Sequence, residues 1–589
     1  MQTSGADLIV TRLTEEEIDT VFLVPGAQID PICQRLSEKP APQAIVASHE
    51  LSAGFMADGY ARASGRVGVC MGIGSCGAAN MLPAVAVAAS DCSPVLFLSG
   101  NIPGHLQGYG AFQDGWSQGS DDSRVLSSFV RHSESPKSGA ELREGLNRIF
   151  ASIRKPFASP VHLSLPLDLQ EGNVPVTRLR LAQQNHFTSG SESFESRPDD
   201  DLDAAGITTT LARSRRPCLL VGPRFSDPDA GTLLRQFAEH FVIPVATTLS
   251  AKGVLAEDHA LSLGNFGFGG SRRSLETLLG TEADLILALG TDFNERDSCC
   301  WDSRLRTNGR GILRVDSAEF DSPRFRADVE CHSDCVQLIR RWMGNSRNQL
   351  RPLLNSVPAR AEWAESLSHI PRTFVPVENP SQEDGAIPLD RVVNSLRESA
   401  SPDTILTVDA GFQRIFAGHY WQATQPDTFF SACGTAPIGW AICAAIGVQL
   451  ARPQQPVIVL TGDGCMTAHG MELGTMVRYR LPIVVVVCNN GAHGSVARRL
   501  PDCELARLPQ IDWVAFADSM GATGIRVDRS TQSGDTLAQI FEDAMTLAWQ
   551  NRCPVVLDVK TPIAPAFPSA EITRSALSEP ENFRELIAA

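Results

Sequence analysis

Two short polar strings in the last third of the chain each follow an apolar segment. The string Gly462-Asp463-Gly464 follows residues 456–461, and the string Asn489-Asn490 follows residues 481–488. Asp463 and Asn490 lie 27 positions apart (490 minus 463). Apolar segments of this length, rich in Val and Ile, are typical of buried strands in a parallel sheet. Between the strings, residues 466–480 are long enough for one crossover helix. Because a right-handed crossover brings successive strand ends to one carboxyl edge, we predict that the two strings lie together.

The side chains and backbone of these strings suit a metal and a phosphate. Asp463 offers a carboxylate oxygen and Asn490 an amide oxygen, which are hard donors of the kind that Mg²⁺ binds beside water or phosphate oxygens. Gly462 and Gly464 allow backbone N–H groups to approach a phosphate closely. Asp-Gly and Asn-Asn are also ordinary turn sequences, but together at this spacing they favour a site for a metal diphosphate.

Composition argues against several classes of function. The 589 residues carry a formal net charge of -16, with a pI near 5.3, which argues against a nucleic-acid or anionic-membrane partner. The sequence has no apolar run of about 20 residues and no signal-peptide pattern, so we expect a cytoplasmic protein. The fifteen cysteines are scattered without a CxxC pair, which predicts reduced thiols.

Two stretches resemble linkers and divide the chain into three blocks. Residues 182–203 are polar and residues 345–386 are interrupted by prolines. In each block apolar strands alternate with helical segments, which predicts an α/β fold of three doubly wound parallel-sheet domains. We predict domain bounds of 1–181, 204–344 and 387–566, followed by a C-terminal tail, 567–589.

The Gly-Asp-Gly string and the paired Asn resemble the signature of thiamine-diphosphate-dependent enzymes. That resemblance implies that Mg²⁺ is held by Asp463, Asn490 and the backbone carbonyl of Ala492, with Gly462 and Gly464 beside the diphosphate. It also implies that the first block binds the aminopyrimidine, the third binds the diphosphate and a central domain lies between them in sequence.

A thiamine cofactor needs an acid that protonates its pyrimidine ring, and Glu50 is the candidate. Residues 43–50 are predicted to form a short strand that ends in this acid, and residues 51–63 a helix. Alternatively, Glu50 only stabilises a first helical turn. The surrounding residues resemble those of acetolactate synthases and benzaldehyde lyase, and this likeness implies that Asn80 of the Gly77–Asn80 string belongs to the cofactor site.

The resemblance to acetolactate synthases and benzaldehyde lyase extends over nearly the whole chain. It includes Val24-Pro25-Gly26-Ala27 and residues 434–447. It implies that Gly26 and Ala436 contact the cofactor and that Ile438 is an apolar wedge between the two cofactor rings. A place for Ile438 in the hydrophobic core is equally compatible with the sequence.

The substrate region departs from both relatives. Gln113 matches both and is expected to face the reacting carbon, with Phe112 beside it. Gln28 replaces a His of benzaldehyde lyase, and Arg131 replaces a Lys of acetolactate synthases. Beyond the paired Asn, a pattern with a Trp is replaced by one with Arg498 and Arg499, which could pair with a carboxylate or phosphate, or lie on a solvated helix face. Two histidines, His49 and His493, are candidate acid/base groups or structural residues.

The predicted activity is that of a carboligase. A 2-oxo acid, pyruvate by resemblance, is decarboxylated and the acyl carbanion is transferred to an acceptor carbonyl. The alternatives are a lyase of 2-hydroxy ketones, a pyruvate oxidase type and a non-catalytic regulatory subunit that binds thiamine diphosphate. The resemblance leaves FAD binding open, because residues 292–296 and 316–319 are similar to the adenine-side loops of acetolactate synthases whereas benzaldehyde lyase has no flavin. It implies a homodimer at least, with a homotetramer common in the group.

Overall fold

The computed structural model of the chain describes residues 2–38, 40–114, 121–154, 157–175, 200–227, 229–318, 325–344, 352–377, 385–530 and 536–574. Most of the first predicted linker and residues 575–589 of the predicted tail lie outside these residues. The chain forms two compact units. The first contains Met1–Phe194, Gly434–Gln454 and Met471–Tyr479, and the second contains Glu195–Cys433, Gln455–Gly470 and Arg480–Ala589.

The described strands form three six-stranded parallel sheets and one small antiparallel pair. The strands are β1 (Gln2–Ser4), β2 (Thr20–Leu23), β3 (Gln43–Val46), β4 (Gly68–Ile73), β5 (Val95–Asn101), β6 (His132–Glu134), β7 (Val161–Pro166), β8 (Asn173–Pro175), β9 (Pro217–Val221), β10 (Val245–Thr247), β11 (Ser262–Asn265), β12 (Leu285–Leu289), β13 (Gly311–Asp316), β14 (Val329–His332), β15 (Ile405–Val408), β16 (Phe429–Ser431), β17 (Val457–Gly462), β18 (Ile483–Asn489), β19 (Thr523–Val527) and β20 (Val555–Lys560).

Helices alternate with these strands, which confirms the predicted doubly wound α/β fold. The helices span Gly5–Glu15, Asp30–Leu36, Glu50–Ser64, Cys76–Ser90, Asp122–Leu126, Gly139–Ser152, Leu167–Glu171, Asp200–Arg213, Ala230–Phe241, Arg272–Leu279, Cys335–Met343, Val357–Ser368, Leu389–Ser399, Phe412–Tyr420, Trp440–Ala451, Asp463–His469, Leu473–Arg478, Gly494–Arg499, Trp513–Ser519 and Leu537–Asn551. Central strands such as β5 and β12 are buried along their whole length, as expected for sheets covered on both faces.

The first and third sheets share one topology, and the central sheet has another. The first sheet has the order β3-β2-β4-β5-β7-β6 and the third has β16-β15-β17-β18-β20-β19. Numbered from the first parallel strand of each sheet, both orders are 2-1-3-4-6-5. The central order, β11-β10-β9-β12-β13-β14, is 3-2-1-4-5-6. In doubly wound sheets ligands bind where the strand order reverses, which is between β2 and β4 in the first sheet and between β15 and β17 in the third.

The second predicted linker contains a helix. Residues Val357–Ser368 are helical, and Arg360 within them is fully buried. Its guanidinium donates to the carbonyl oxygens of Leu211, at 2.5 Å, and Ser214, at 3.2 Å, which lie at the end of helix Asp200–Arg213 where carbonyls need outside partners. The proline-interrupted stretch therefore contains an ordered helix, which the long-range contacts of Arg360 hold in place.

A buried histidine in the first sheet is expected to make stability depend on pH. His162 of β7 lies between the hydroxyls of Ser99 and Ser133, each 2.9 Å from a ring nitrogen, and its burial lowers its pKa to about 3. Since the unfolded chain takes up this proton near pH 6.5 and the folded chain does not, stability is full above that pH and falls below it by up to about 1.4 kcal/mol per pH unit.

We expect His162→Gln to flatten this part of the pH dependence, measured by urea unfolding between pH 7.5 and pH 5. His105→Gln, which changes an exposed side chain of the same unit, should leave the slope close to that of the wild type. Equal slopes for the wild type and His162→Gln would contradict the prediction.

Among the described residues, no helix has the length and apolar character needed to cross a membrane.

Candidate functional site

The Gly-Asp-Gly string lies at the carboxyl edge of the third sheet. Strand β17 pairs in parallel with β18, and Gly462 lies opposite Cys488. The Asp463 side chain crosses to the second string, because its Oδ2 accepts the N–H of Gly491 at 2.7 Å and its Oδ1 accepts the N–H of Gly464 at 3.0 Å. The structure thus brings together the two strings that were predicted to meet.

The crossover between the strings differs from the predicted single helix. The first helix begins at Asp463 rather than Met466 and ends at His469, and a second helix spans Leu473–Arg478. A 3-10 turn, Gly470–Glu472, separates the two. The early start places Asp463 in the first helical turn, where its charge is favourable to the helix dipole.

The carboxyl group of Asp463 is nearly buried, and only backbone N–H groups hydrogen-bond to it in the described structure. Its residue is 5% exposed. Burial raises the pKa of Asp463 to about 6, against the lowering effect of the two backbone hydrogen bonds and of His493. A buried carboxylate without a close cation is costly, and a divalent ion is one partner that would offset this cost.

The two asparagines of the second string have different roles. Asn489 ends β18 and donates its amide to Oδ1 of Asp558 on β20, at 2.8 Å. Asn490 lies beyond the strand, and its Oδ1 accepts the N–H of Ala492 at 3.0 Å. Arg507 pairs with Ala492 in an isolated antiparallel bridge, which holds the backbone of this loop in place.

Gln413 joins this edge and was missed by the sequence analysis. It is buried, and its Nε2 donates to the carbonyl oxygen of Ala410 at 2.6 Å. A side chain at Gly411 or Gly462 would contact the Gln413 amide, at 2.5 and 3.5 Å respectively. Gly411 also has a φ of 127°, which favours glycine. The position just after β15, next to the strand-order reversal, is the signal that could have identified Gln413.

His493 and Arg498 flank the Gly-Asp-Gly edge within the second unit. The imidazole of His493 is exposed and lies beside Gly464, where a side chain would approach Nδ1 to 3.1 Å. Arg498 lies in helix Gly494–Arg499, and its guanidinium stacks 4.4 Å from the Phe567 ring centre. This stacking draws Arg498 onto an aromatic cluster, because Phe567 also contacts Phe412.

The first unit places Glu50 at the first position of helix Glu50–Ser64. Strand β3 ends at Val46, so the predicted strand is four residues too long, and His49 caps the helix by accepting the N–H of Leu51 through Nδ1. Glu50 is 9% exposed, and its Oε2 accepts the amide of Asn80 at 3.0 Å. A side chain at Gly77 would approach Oε1 to 3.2 Å, so a glycine keeps the space around this oxygen open.

Gln28 connects three loops at the same edge of the first sheet. It is buried, with Oε1 accepting the N–H of Gly74 at 3.0 Å and Nε2 donating to Oε1 of Gln113 at 3.3 Å. Gly26 precedes it, and a side chain there would come within 2.6 Å of Ile73. The structure thus brings Gln28 and Gln113 together beyond the ends of β2 and β4, where the strand order reverses.

The other predicted substrate residues of the first unit point in different directions. Phe112 is 87% exposed, and Gln113 next to it has a φ of 66°, an unusual conformation for a residue other than glycine. Arg131 turns away into a structural role. Its guanidinium donates to the carbonyl oxygens of Ser152 and Phe157, and stacks 4.4 Å from the Phe157 ring centre.

Ile438 does not belong to the hydrophobic core. It is 46% exposed and precedes helix Trp440–Ala451. This helix packs closely against helix Glu50–Ser64 in the same unit. The close approach is seen at Gly59, where an added side chain would clash with the Ala444 backbone. Ala436, two residues before Ile438, has a φ of 52°. The exposure of Ile438 argues against the core interpretation, and its role as a wedge stays a prediction.

Comparisons with known proteins agree with the architecture of three parallel sheets. Three family models match: the N-terminal TPP binding domain of thiamine pyrophosphate enzymes over residues 3–121, the central domain over 205–341 and the C-terminal TPP binding domain over 409–559. A probable acetolactate synthase large subunit of Methanocaldococcus jannaschii is 29% identical over 585 residues, which cover 96% of this chain and 93% of the relative. A putative acetolactate synthase large subunit of Mycobacterium tuberculosis is 30% identical over 528 residues, covering 89% of this chain and 92% of the relative.

The chain belongs to the thiamine pyrophosphate enzyme family. Within it, the relatives place the chain with the acetolactate synthases. An acetolactate synthase of Mycobacterium bovis, for example, is 29% identical over 572 residues, covering 95% of this chain and 88% of the relative. The protein is therefore a thiamine-diphosphate-dependent carboligase that acts on small molecules, as predicted.

The residues of this thiamine pyrophosphate enzyme fit a metal diphosphate. Among the described residues, no group of three or more His, Cys, Asp or Glu could hold a metal ion. Mg²⁺ typically binds one or two carboxylates and takes further oxygens from a substrate phosphate. Asp463, buried without a close cation, and the oxygen-rich loop of Asn490 and Ala492 meet that requirement together with a diphosphate.

Proposed function

We propose that the enzyme decarboxylates a 2-oxo acid, pyruvate in the first instance, and joins the resulting acyl unit to an acceptor carbonyl. The observation that carries the proposal is the placement of Glu50. It is a nearly buried acid with one oxygen engaged by Asn80 and the other beside a glycine. Relatives along almost the full chain are named acetolactate synthases, which favours the ligating reaction.

Thiamine diphosphate, when bound, supplies the carbanion that attacks a carbonyl carbon. Glu50 supplies the acid: the amide of Asn80 donates to Oε2, which leaves Oε1 to carry the proton. Since proton transfer by a positioned acid requires a fixed carboxyl group, the contact with Asn80 and the helix start at Glu50 serve to hold it.

The metal ligands belong to this proposal. Asp463, Asn490 and the carbonyl of Ala492 hold Mg²⁺, and Gly462 and Gly464 allow the diphosphate to approach the backbone. Support comes from the donor set, because a carboxylate and neutral oxygens leave coordination positions for phosphate. Gln413, which lies beside Gly462, is a further group at this edge that can donate a hydrogen bond to phosphate.

Substrate binding is assigned to four residues in addition to Gln113. Gln28 and Gln113 form a hydrogen-bonded pair that can orient a carbonyl oxygen, and the exposed Phe112 offers an apolar surface beside them. His493 is exposed and can exchange a proton. The Arg498 guanidinium, although it stacks on Phe567, keeps its charge and can pair with a carboxylate.

The proposal also includes the domain bounds and the assembly. We assign domains to 1–181, 204–344 and 387–566 and a tail to 567–589, in a cytoplasmic protein. The resemblance to thiamine enzymes supports a homodimer, because in that group the activating acid and the diphosphate site come from different subunits, and a tetramer is the next assembly to test.

The test is an assay of the purified chain with thiamine diphosphate, Mg²⁺ and pyruvate. We expect CO₂ release together with a ligated product in which the acyl unit is attached to a second carbonyl compound. Cleavage of a 2-hydroxy ketone without CO₂ release from any 2-oxo acid would replace the proposal with the lyase. Turnover only after addition of a second protein would favour the regulatory subunit.

Ile438→Ala is expected to lower kcat without lowering stability. The side chain is 46% exposed, so its removal costs little on folding, whereas a wedge acts on the bound cofactor; we expect a loss of about tenfold, or about 1.4 kcal/mol of barrier. The measurements are kcat and the thermal midpoint.

The matched control for Ile438→Ala is Ile442→Ala in the following helix. Ile442 is fully buried, and its truncation should cost about 2–5 kcal/mol of unfolding free energy with a smaller effect on kcat. A normal kcat for Ile438→Ala would contradict the wedge assignment.

A further inference from the structure

The central sheet has the strand order of dinucleotide-binding folds, but the place where a dinucleotide would bind is closed. Its order reverses between β9 and β12, and in such sheets the diphosphate of a dinucleotide lies beyond the carboxyl ends of these two strands. The loops after them begin at Gly222 and Gly290. A side chain at Gly222 would lie 2.5 Å from the carbonyl oxygen of Gly290, so the two loop backbones are in direct contact.

The first backbone donors of the loop after β9 already have partners within the protein. The N–H of Gly222 donates to Leu289, at 2.9 Å, that of Arg224 to Gly290, at 3.1 Å, and that of Phe225 to Gly222, at 3.1 Å. Pro223 has no N–H. A phosphate-binding loop presents free N–H groups to its anion, whereas these residues direct theirs to carbonyl oxygens of the protein.

Arg224, in the loop after β9, forms ion pairs with residues at the ends of the neighbouring strands. Its Nε and one terminal nitrogen donate to Asp316, at 2.9 and 2.7 Å. Asp316 ends β13, is 2% exposed, and accepts a second guanidinium from Arg314 at 2.8 Å. Asp292, after β12, lies 3.9 Å from Arg224. Three strand ends are therefore joined by one ion-pair cluster, at the point where a ligand would have to enter. The side chains of Arg224 and Asp316 in this cluster are 10% and 2% exposed.

The next helix also lacks the features of an anion site. It begins at Ala230, eight positions beyond Gly222, and Asp227 and Asp229 lie at its start. Both acids pair with Arg340, at 3.4 and 2.5 Å. A helix N-terminus favours a negative charge, but here the two carboxylates already lie at that position. Their own negative charges would repel a diphosphate.

We infer that the central domain binds no dinucleotide, FAD included, because Arg224 and its carboxylate partners occupy the crevice themselves. The Arg224 cluster is a structural lock that joins β9, β12 and β13. The proposed carboligation has no net redox step, so its chemistry does not itself call for a flavin.

The experiment uses the full-length enzyme with thiamine diphosphate and Mg²⁺. We expect no flavin absorption band in the purified protein, no flavin in the supernatant after denaturation, and no saturable FAD, NAD or ADP binding in equilibrium dialysis. The thermal midpoint should not change with FAD. Flavin at one per chain, or a midpoint that rises with FAD and saturates, would overturn the inference.

A pair of variants tests the lock itself. Arg224→Ala should lower the thermal midpoint by several degrees, because it leaves Asp316 with one cation instead of two, while Arg215→Ala, at an exposed position, should not. A midpoint unchanged in Arg224→Ala would overturn the role of Arg224. If Arg224→Ala does not fold, its loss supports the lock, and dialysis of the wild type still decides dinucleotide binding. Normal carboligation with bound flavin would overturn only this inference, and absent carboligation without flavin only the proposed function.

Discussion

Glu50→Gln is expected to remove most of the activity while the fold is retained. Glutamine has the same shape, and its carbonyl oxygen can still accept the amide of Asn80 as Oε2 does at 3.0 Å. It cannot carry the acid proton, and a positioned acid contributes about 10²–10⁴-fold to rate. The measurements are kcat for CO₂ release from pyruvate and the thermal midpoint of the same preparation.

Two control variants distinguish the loss of the activating acid from a general effect of removing a carboxylate. Glu50→Asp keeps an acid but moves it by one methylene, so we expect an activity between those of the wild type and Glu50→Gln. Glu134→Gln removes a carboxylate from β6, the edge strand farthest from β3 in the same sheet, and should retain the activity of the wild type. Turnover by Glu50→Gln within a factor of about two of the wild type would refute the assignment of Glu50 as the activating acid.

The features that could be predicted from the sequence follow from local patterns. The apolar segments 456–461 and 481–488 identified strands β17 and β18. Parallel pairing of these strands then places Asp463 and the second string at one edge of the sheet. The same logic placed Glu50 next to the end of β3. Such predictions succeed because strand direction and the crossover rule fix which end of each strand carries the loop. Side-chain details are not needed.

The features that could not be predicted depend on where long side chains go. Arg131 was expected to mark the substrate region, but its guanidinium is directed to Ser152 and Phe157. Arg360 lies in a stretch that resembles a linker, yet it stabilises the end of a helix more than 140 positions earlier. Arg224 closes the crevice of the central sheet. Each of these contacts joins residues that are distant in sequence. Neither the spacing of apolar residues nor the composition of turns predicts such contacts.

Asp463→Asn is expected to abolish the metal dependence of cofactor binding. The asparagine has the shape of Asp463 but no charge, and only one of its two terminal atoms can accept the N–H groups of Gly464 and Gly491. One lost hydrogen bond should cost about 1 kcal/mol of unfolding free energy. We expect thiamine diphosphate to bind about a hundredfold more weakly, or by about 2.8 kcal/mol, as measured by calorimetry with Mg²⁺ and with a chelator.

Asp558→Asn is the matched control, because it removes a buried carboxylate from the next strand of the same sheet. Asp558 accepts the amide of Asn489, the asparagine that precedes the proposed ligand Asn490. If the metal is held by Asp463, Asp558→Asn keeps the difference between Mg²⁺ and chelator, and Asp463→Asn loses it. The opposite result would move the metal site to Asn489 and Asp558. Since burial raises the pKa of both acids, a general effect of buried carboxylates would weaken binding equally in the two variants, and only a metal ligand at Asp463 predicts that they differ.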